Sequence, residues 1–189
     1  MRGSGPVLVL LVLVQSTACA AHGFGGSGLL HPLTGLDHAL AMVAVGAWSA
    51  QLGGRAVWVV PACFVLLMLL GGIVGWTGMA GGNVDGLIAF SVLLLGLAIA
   101  FDRRLSVLLA GAAVGLFGFC HGLAHGIEMP EEGNSAVFMV GFLVTTAGLH
   151  LVGAVAALLL LNQSQGKRTL RILGALTAFA GVLLLVKTH

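Results

Sequence analysis

From position 36 onward the chain alternates long apolar stretches with short polar ones, and six of the apolar stretches have helical length. They run from Leu36 to Leu52, Ala56 to Trp76, Asp85 to Phe101, Leu105 to Ala124, Ala136 to Leu161 and Leu170 to Lys187. Several are close to the ~20 residues needed to cross the hydrocarbon core of a bilayer. The connections are short and polar: Gly53-Gly54-Arg55, residues 78–84, Asp102-Arg103-Arg104, residues 128–135 and residues 162–169. No linker separates domains, and no repeat of three helices plus three is visible in the residues. The pattern predicts an all-α integral membrane protein with six transmembrane helices.

Ahead of these helices stands a different pattern. Arg2, the apolar run Val7–Val14 and the small residues from Ser16 to Ala21 have the three regions of a secretory signal peptide. The apolar run is too short to span a bilayer. Cleavage is expected after Ala20 or Ala21, which divides the chain into a signal peptide (1–21) and a six-helix transmembrane unit (22–189). An uncleaved anchor is the competing reading. Lipidation at Cys19 is disfavoured, because Ser16 stands where a lipidation signal carries Leu.

Basic residues set the expected orientation. The first, third and fifth connections carry Arg55, then Arg103 and Arg104, then Lys167 and Arg168, with Arg171 just beyond. The second and fourth carry none, and the fourth is acidic through Glu128, Glu131 and Glu132. The odd connections are therefore expected in the cytoplasm. A cleaved signal peptide independently places the mature amino terminus outside, and six helices return the carboxyl terminus to the same side.

Composition reinforces the membrane reading. Hydrophobic residues make up 59% of the 189-residue chain and charged residues 7%, against roughly 25% charged in soluble domains; the mean hydropathy is +1.11. The 30 glycines suit closely packed membrane helices. A net charge of +2 without a basic cluster excludes a nucleic-acid footprint. Cys19, Cys63 and Cys120 have no paired spacing, so neither a disulfide framework nor a zinc ribbon is implied.

Against this apolar background the ionisable residues are conspicuous, since a charged side chain at a membrane helix centre costs roughly 2.5–3.5 kcal/mol on insertion scales. None of the seven histidines falls on the expected cytoplasmic side. The sharpest pattern is His121-Gly-Leu-Ala-His125-Gly-Ile-Glu128, whose spacings of four and three put three side chains on one helical face. Two imidazoles at i and i+4 can share a metal ion, and Gly122 and Gly126 leave room beside them. Glu does not directly follow His121, so the general base of a metalloprotease helix is missing. The plainer reading is a pair of packing histidines bonded to nearby backbone.

The second pattern is His31-Pro32-x-x-Gly35-x-Asp37-His38. Pro32 and Gly35 predict a turn, with Thr34 as cap of the following helix. Asp37 at a helix amino terminus is favoured by the dipole. Adjacent residues do not share a helical face, so Asp37 and His38 need not both be ligands; one can orient an imidazole. A capping Asp beside an interfacial His is the alternative. His150, deep in the fifth stretch, is either a second binding station or a buried imidazole bonded to a neighbouring Thr or carbonyl. Met42 and Met139 offer thioethers, though methionine in such helices is usually packing. His22, if cleavage exposes it, would chelate through its free amine and imidazole. Imidazole-rich sites suit Ni, Co, Zn or Cu better than Mg or Ca, and the residues do not choose among the former.

These same residues carry a resemblance. His31-Pro-Leu-Thr-Gly-Leu-Asp37-His38-Ala-Leu-Ala-Met42-Val-Ala-Val-Gly46 resembles the signature of the HupE/UreJ family of bacterial membrane proteins. The segment His121 to Pro130 is similar to that family's second motif, and Thr145-Thr-Ala-Gly-Leu-His150 to its fifth-helix segment. Cys120 departs from the pattern, where an aromatic residue is expected. The resemblance implies a permease and not an enzyme: a secondary transporter for Ni(2+), in some members Co(2+), in the bacterial inner membrane, serving hydrogenase or urease maturation. It implies no permanent cofactor, the metal ion being cargo, and it makes residues 22–189 a permease domain. Carried over, the residues needed for uptake are His31, Asp37, His38, His121, His125, Glu128 and His150. The partners are then the divalent ion and the bilayer, and a homo-oligomer is compatible with the chain. No ATP-binding loop occurs in the sequence, so a gradient must drive transport. Two other classes compete: a bis-histidine haem protein pairing His121 or His125 with His150, and a membrane-embedded zinc hydrolase.

Overall fold

The computed structural model describes residues 28–78, 84–129 and 134–188. They form an all-α bundle: α1 (His31–Thr34), α2 (Leu36–Leu52), α3 (Ala56–Trp76), α4 (Asp85–Ala100), α5 (Val107–Ile127), α6 (Ser135–Leu161) and α7 (Gly166–Lys187). Four of these, α3, α5, α6 and α7, are long and apolar enough to cross a membrane; α4, with 16 residues, is a shorter apolar helix, and α2 has 17. Trp58, Leu108, Phe179 and Val186 stand exposed on the outer walls of the long helices. Large apolar side chains facing outward on helices of this length are what a bilayer solvates, and the chain is a membrane protein.

The helices fall close to their expected limits, with three differences. The His31-Pro32 turn winds into the single helical turn α1, and Gly35, not Thr34, occupies the cap position of α2, with extended φ/ψ and no side-chain cap bond. α5 is shifted toward its carboxyl end because Ser106 caps it, accepting from the Leu109 N–H at 3.3 Å, and it runs on through His125 to Ile127. α7 begins four residues earlier than expected, taking in Lys167 and Arg168; the connection before it is one tight turn. The expected signal peptide and His22 lie outside the described residues, as does His189.

Close helix pairs dominate the packing: α3 with α5, α2 with α6, and α4 with α7. Glycine makes the first two possible. A Cβ on Gly122 would run into the Met68 carbonyl, one on Gly118 into that of Phe64, and one on Gly46 into that of His150. Backbone contact at this range gains dispersion energy that larger side chains would forbid. The steps 64→68→72 on α3 match 118→122→126 on α5, so this pair is parallel. In the third pair Gly174 meets Ala100 while Gly181 meets Leu93, so that pair is antiparallel. Exchanging α2, α3, α4 for α5, α6, α7 maps the three pairs onto themselves. This is the pairing of a three-plus-three arrangement, although no repeat is legible in the residues.

One end of the bundle is tied together by side chains bonding around the end of α4. Asp102, at φ 50, closes α4 in the left-handed conformation, and the Arg103 N–H returns to the Ala98 carbonyl at 2.9 Å. Gln51 donates to the Ile99 carbonyl at 3.2 Å, Trp48 to that of Arg103 at 3.2 Å and Arg171 to that of Ala100 at 2.8 Å. The opposite end holds the histidines.

Candidate functional site

His38 opens α2 and His121 and His125 end α5. Packing brings the three rings together. The His38 ring centroid lies 5.1 Å from that of His121 and 4.7 Å from that of His125. His121 is 0% and His125 1% exposed. The close approach of α5 to α3 at Gly122 and Gly126, one residue after each histidine, forces the imidazoles inward toward α2.

Each of two rings is held by a specific acceptor. The Asp37 Oδ1 accepts from His38 Nδ1 at 2.9 Å and from the His38 backbone N–H at 2.8 Å. The Phe117 carbonyl accepts from His121 Nδ1 at 2.8 Å. Because a carbonyl and a carboxylate only accept, Nδ1 carries a proton in both rings, and in the neutral imidazole Nε2 keeps its lone pair. The Nε2 atoms of His38 and His121 are buried and make no hydrogen bond within the protein. A buried polar atom without a partner costs about 1–3 kcal/mol, so leaving two such lone pairs in one contact cluster has to be offset by something they do. A backbone carbonyl or carboxylate behind the ring is the usual support of a metal-ligating imidazole. Of the two readings of the Asp37-His38 pair, the geometry corresponds to Asp37 orienting the ring.

Aromatic rings continue the column. Phe142 of α6 stacks on His125 at 4.9 Å, while Phe64 of α3 touches His121 at 5.2 Å and His150 at 4.9 Å. His150 is 2% exposed, and neither ring nitrogen has a hydrogen-bond partner in the protein. Phe64 is in ring contact with both His121 and His150 and so links His150 to the cluster.

The expected site residues are thus partly assembled. Asp37, His38, His121 and His125 come together, and His150 adjoins them through Phe64. Glu128 caps the end of α5 and is exposed, beyond the imidazole cluster. His31 is the first residue of α1. Among the described residues no three His, Cys, Asp or Glu side chains are arranged to hold one ion together; the rings are in contact but not in a closed coordination shell. Phe64, Phe142 and the Phe117 carbonyl were not legible as site elements, because nothing distinguishes those phenylalanines from the rest of the nine. A groove of 520 Å³ between α3 and α5, reaching from Arg55 to Ala112, has no imidazole in its lining and is apolar.

Comparison with known proteins agrees with the motifs. The family model described as HupE / UreJ protein matches residues 8–184. Protein HupE of Rhizobium leguminosarum bv. viciae is 44% identical over 160 residues, covering 85% of this chain and 83% of that protein. No solved structure matches.

Proposed function

The chain belongs to the HupE/UreJ family, and from that membership together with the imidazole cluster we propose that it is a secondary permease for a divalent transition metal, Ni(2+) first and Co(2+) second, in a bacterial inner membrane. The observation that carries the reading is the pair of buried Nε2 lone pairs on His38 and His121, each aimed by an acceptor behind its ring. Neutral imidazoles suit borderline metals and hold hard, oxygen-seeking cations poorly. The proposed ligand group is His38, His121 and His125, with Asp37 positioning His38. His31 and Glu128, and His22 once a signal peptide is removed, act earlier as capture residues at the outer surface. His150 acts later, on the inward path.

In this reading six helices span the membrane and both mature termini are periplasmic. The basic connections face the cytoplasm, and the three-imidazole cluster faces the periplasm. The driving force is the membrane potential. At ~2.3 kcal/mol per charge per 100 mV, a divalent ion gains about 4–5 kcal/mol on entry, which is sufficient without ATP. The imported metal then supplies hydrogenase or urease maturation.

The test is accumulation of radiolabelled nickel by intact cells expressing the chain, with cobalt and zinc as competitors. His121→Ala and His125→Ala are expected to abolish accumulation while the protein remains in the membrane at normal level. Unchanged uptake in both variants would sink the site assignment.

A further inference from the structure

Six hydroxyl side chains in this bundle share one habit, whereas Thr145 donates to the Leu29 carbonyl at 2.7 Å. Ser49, Thr77, Ser91 and Thr188 each donate to the carbonyl three residues earlier, and Thr169 and Thr177 to the carbonyl four residues earlier. That is how an apolar helix ordinarily satisfies Ser and Thr. Thr146, fully buried in α6, is different. Its Oγ1 reaches to two sulfurs on two other helices, Met42 Sδ of α2 at 3.3 Å and Met68 Sδ of α3 at 3.8 Å. A thioether is a weak acceptor, so the hydroxyl has taken the poorer partner. Its single proton serves one sulfur at a time, and the two contacts keep a pair of soft lone-pair donors beside one buried hydroxyl.

The location of this layer follows from helical register. Met42 is one turn beyond His38 on α2. Met68 is one turn from Phe64 on α3, with its carbonyl against Gly122, next to His121. Thr146 stands one turn from Phe142, which stacks on His125, and one turn from His150. Met42, Met68 and Thr146 are all 0% exposed. The two sulfurs thus meet at Thr146, one helical turn from His38 along α2 through Met42 and one turn from His150 along α6; both ring nitrogens of His150 are buried and have no partner in the protein.

We propose that Met42 Sδ and Met68 Sδ, with a ring nitrogen of His150, form a second, softer metal-binding station inward of the imidazole cluster, with Thr146 as the residue that positions the two sulfurs. The proposal rests on the metal-transport reading of the cluster and goes beyond it by assigning the next ligands on the path. Thioethers are neutral and weakly hydrated and bind soft or borderline ions; they do not replace the water of Mg(2+), Ca(2+) or Mn(2+). A station of this kind filters by softness what the outer imidazoles have already dehydrated. Being uncharged it also binds loosely, as a site on a conduction path must if the ion is to leave. When an ion takes the sulfur lone pairs, the Thr146 hydroxyl has the usual helical alternative, the Phe142 carbonyl four residues back.

The experiment pairs transport with spectroscopy on the full chain. Nickel-edge X-ray absorption of the purified wild-type protein, loaded with Ni(2+) beyond the capacity of the outer cluster, is expected to show sulfur scatterers at bonding distance. They should be lost in the Met42→Leu/Met68→Leu double variant, which nearly conserves side-chain volume. The same variant is expected to lower the initial rate of nickel uptake about tenfold or more, the scale of losing metal-site residues, while nickel still binds through nitrogen ligands. Nickel coordinated by nitrogen and oxygen alone in the wild type overturns the proposal, whether or not the double variant folds. So does an unchanged uptake rate in a folded double variant. A wild-type protein that neither binds nor takes up nickel refutes instead the transport reading on which the station rests.

Discussion

Asp37→Asn separates a positioning role from a ligand role. The Asp37 Oδ1 accepts two bonds from His38, one from the ring and one from the backbone. Replacing the carboxylate by an amide keeps size and an acceptor oxygen but exchanges charge-assisted hydrogen bonds for neutral ones. The former contribute about 1.5–3 kcal/mol and the latter about 0.5–1.5. The Asp37 side chain is 26% exposed and that of His38 13%, so solvent screening favours the lower end of the difference, about 1 kcal/mol. With 1.4 kcal/mol per factor of ten, the half-saturation concentration for nickel should rise about fivefold. Asp37→Ala, which frees the ring altogether, should cost on the order of 10–100-fold. The decisive assay is a double-mutant cycle in nickel uptake. If Asp37 acts through His38, Asp37→Asn adds nothing in a His38→Ala background. Losses that add in full would refute the positioning argument and make Asp37 an independent ligand.

Other expectations follow from burial and contact. Gly122→Val should destabilise the bundle by at least ~1–3 kcal/mol, since its side chain would overlap the Met68 carbonyl. Gly148→Ala, with open space around it, should leave melting temperature and uptake unchanged; thermal unfolding in detergent reads the stability of both variants, and nickel accumulation by intact cells reads uptake. Glu128→Gln removes an exposed charge at the entrance and should raise the half-saturation concentration about two- to fivefold at low salt, with the effect fading as ionic strength rises. Intact-mass measurement of the protein recovered from membranes should give a chain beginning at residue 21 or 22; a full-length mass would make the leader an anchor.

The helices were legible because each is a long apolar run bounded by glycine or by polar residues. Their pairing was not, since it depends on which glycines meet which carbonyls across the bundle: Gly122 with Met68 and Gly46 with His150 look no different in sequence from Gly148, which meets nothing. The site divides in the same way. His121 and His125 announce themselves by helical spacing, and Asp37-His38 by being polar at a helix start. That His38 would meet both across the bundle is a tertiary fact. Met68 and Phe64 had no signal, because an apolar residue in an apolar helix acquires a role only from what it touches. Thr34 shows the opposite error: a good capping residue was displaced when Pro32 started a helical turn of its own and left Gly35 at the cap.

The paired architecture also bears on how an ion gains access. His121 and His125 are almost completely buried, so the cluster must open for metal to enter. Within each glycine-contact pair the backbones touch, and sliding one helix along the other would bring a carbonyl against a neighbouring side chain. The softer boundary runs between pairs, and the cluster lies across it: His38 belongs to the α2–α6 pair, His121 and His125 to the α3–α5 pair. Movement of one pair against the other would open the imidazoles while keeping each ring with its own acceptor, since Asp37 lies on the same helix as His38 and Phe117 on the same helix as His121. Spin labels at the exposed positions Leu36, Trp76 and Ile127 test this in a variant lacking the native cysteines. The Leu36–Ile127 separation, across the pairs, should shift when nickel is added, and the Trp76–Ile127 separation, within one pair, should not. A change confined to the second distance would mean that the glycine contacts themselves slide, and that the pairs are not the moving units.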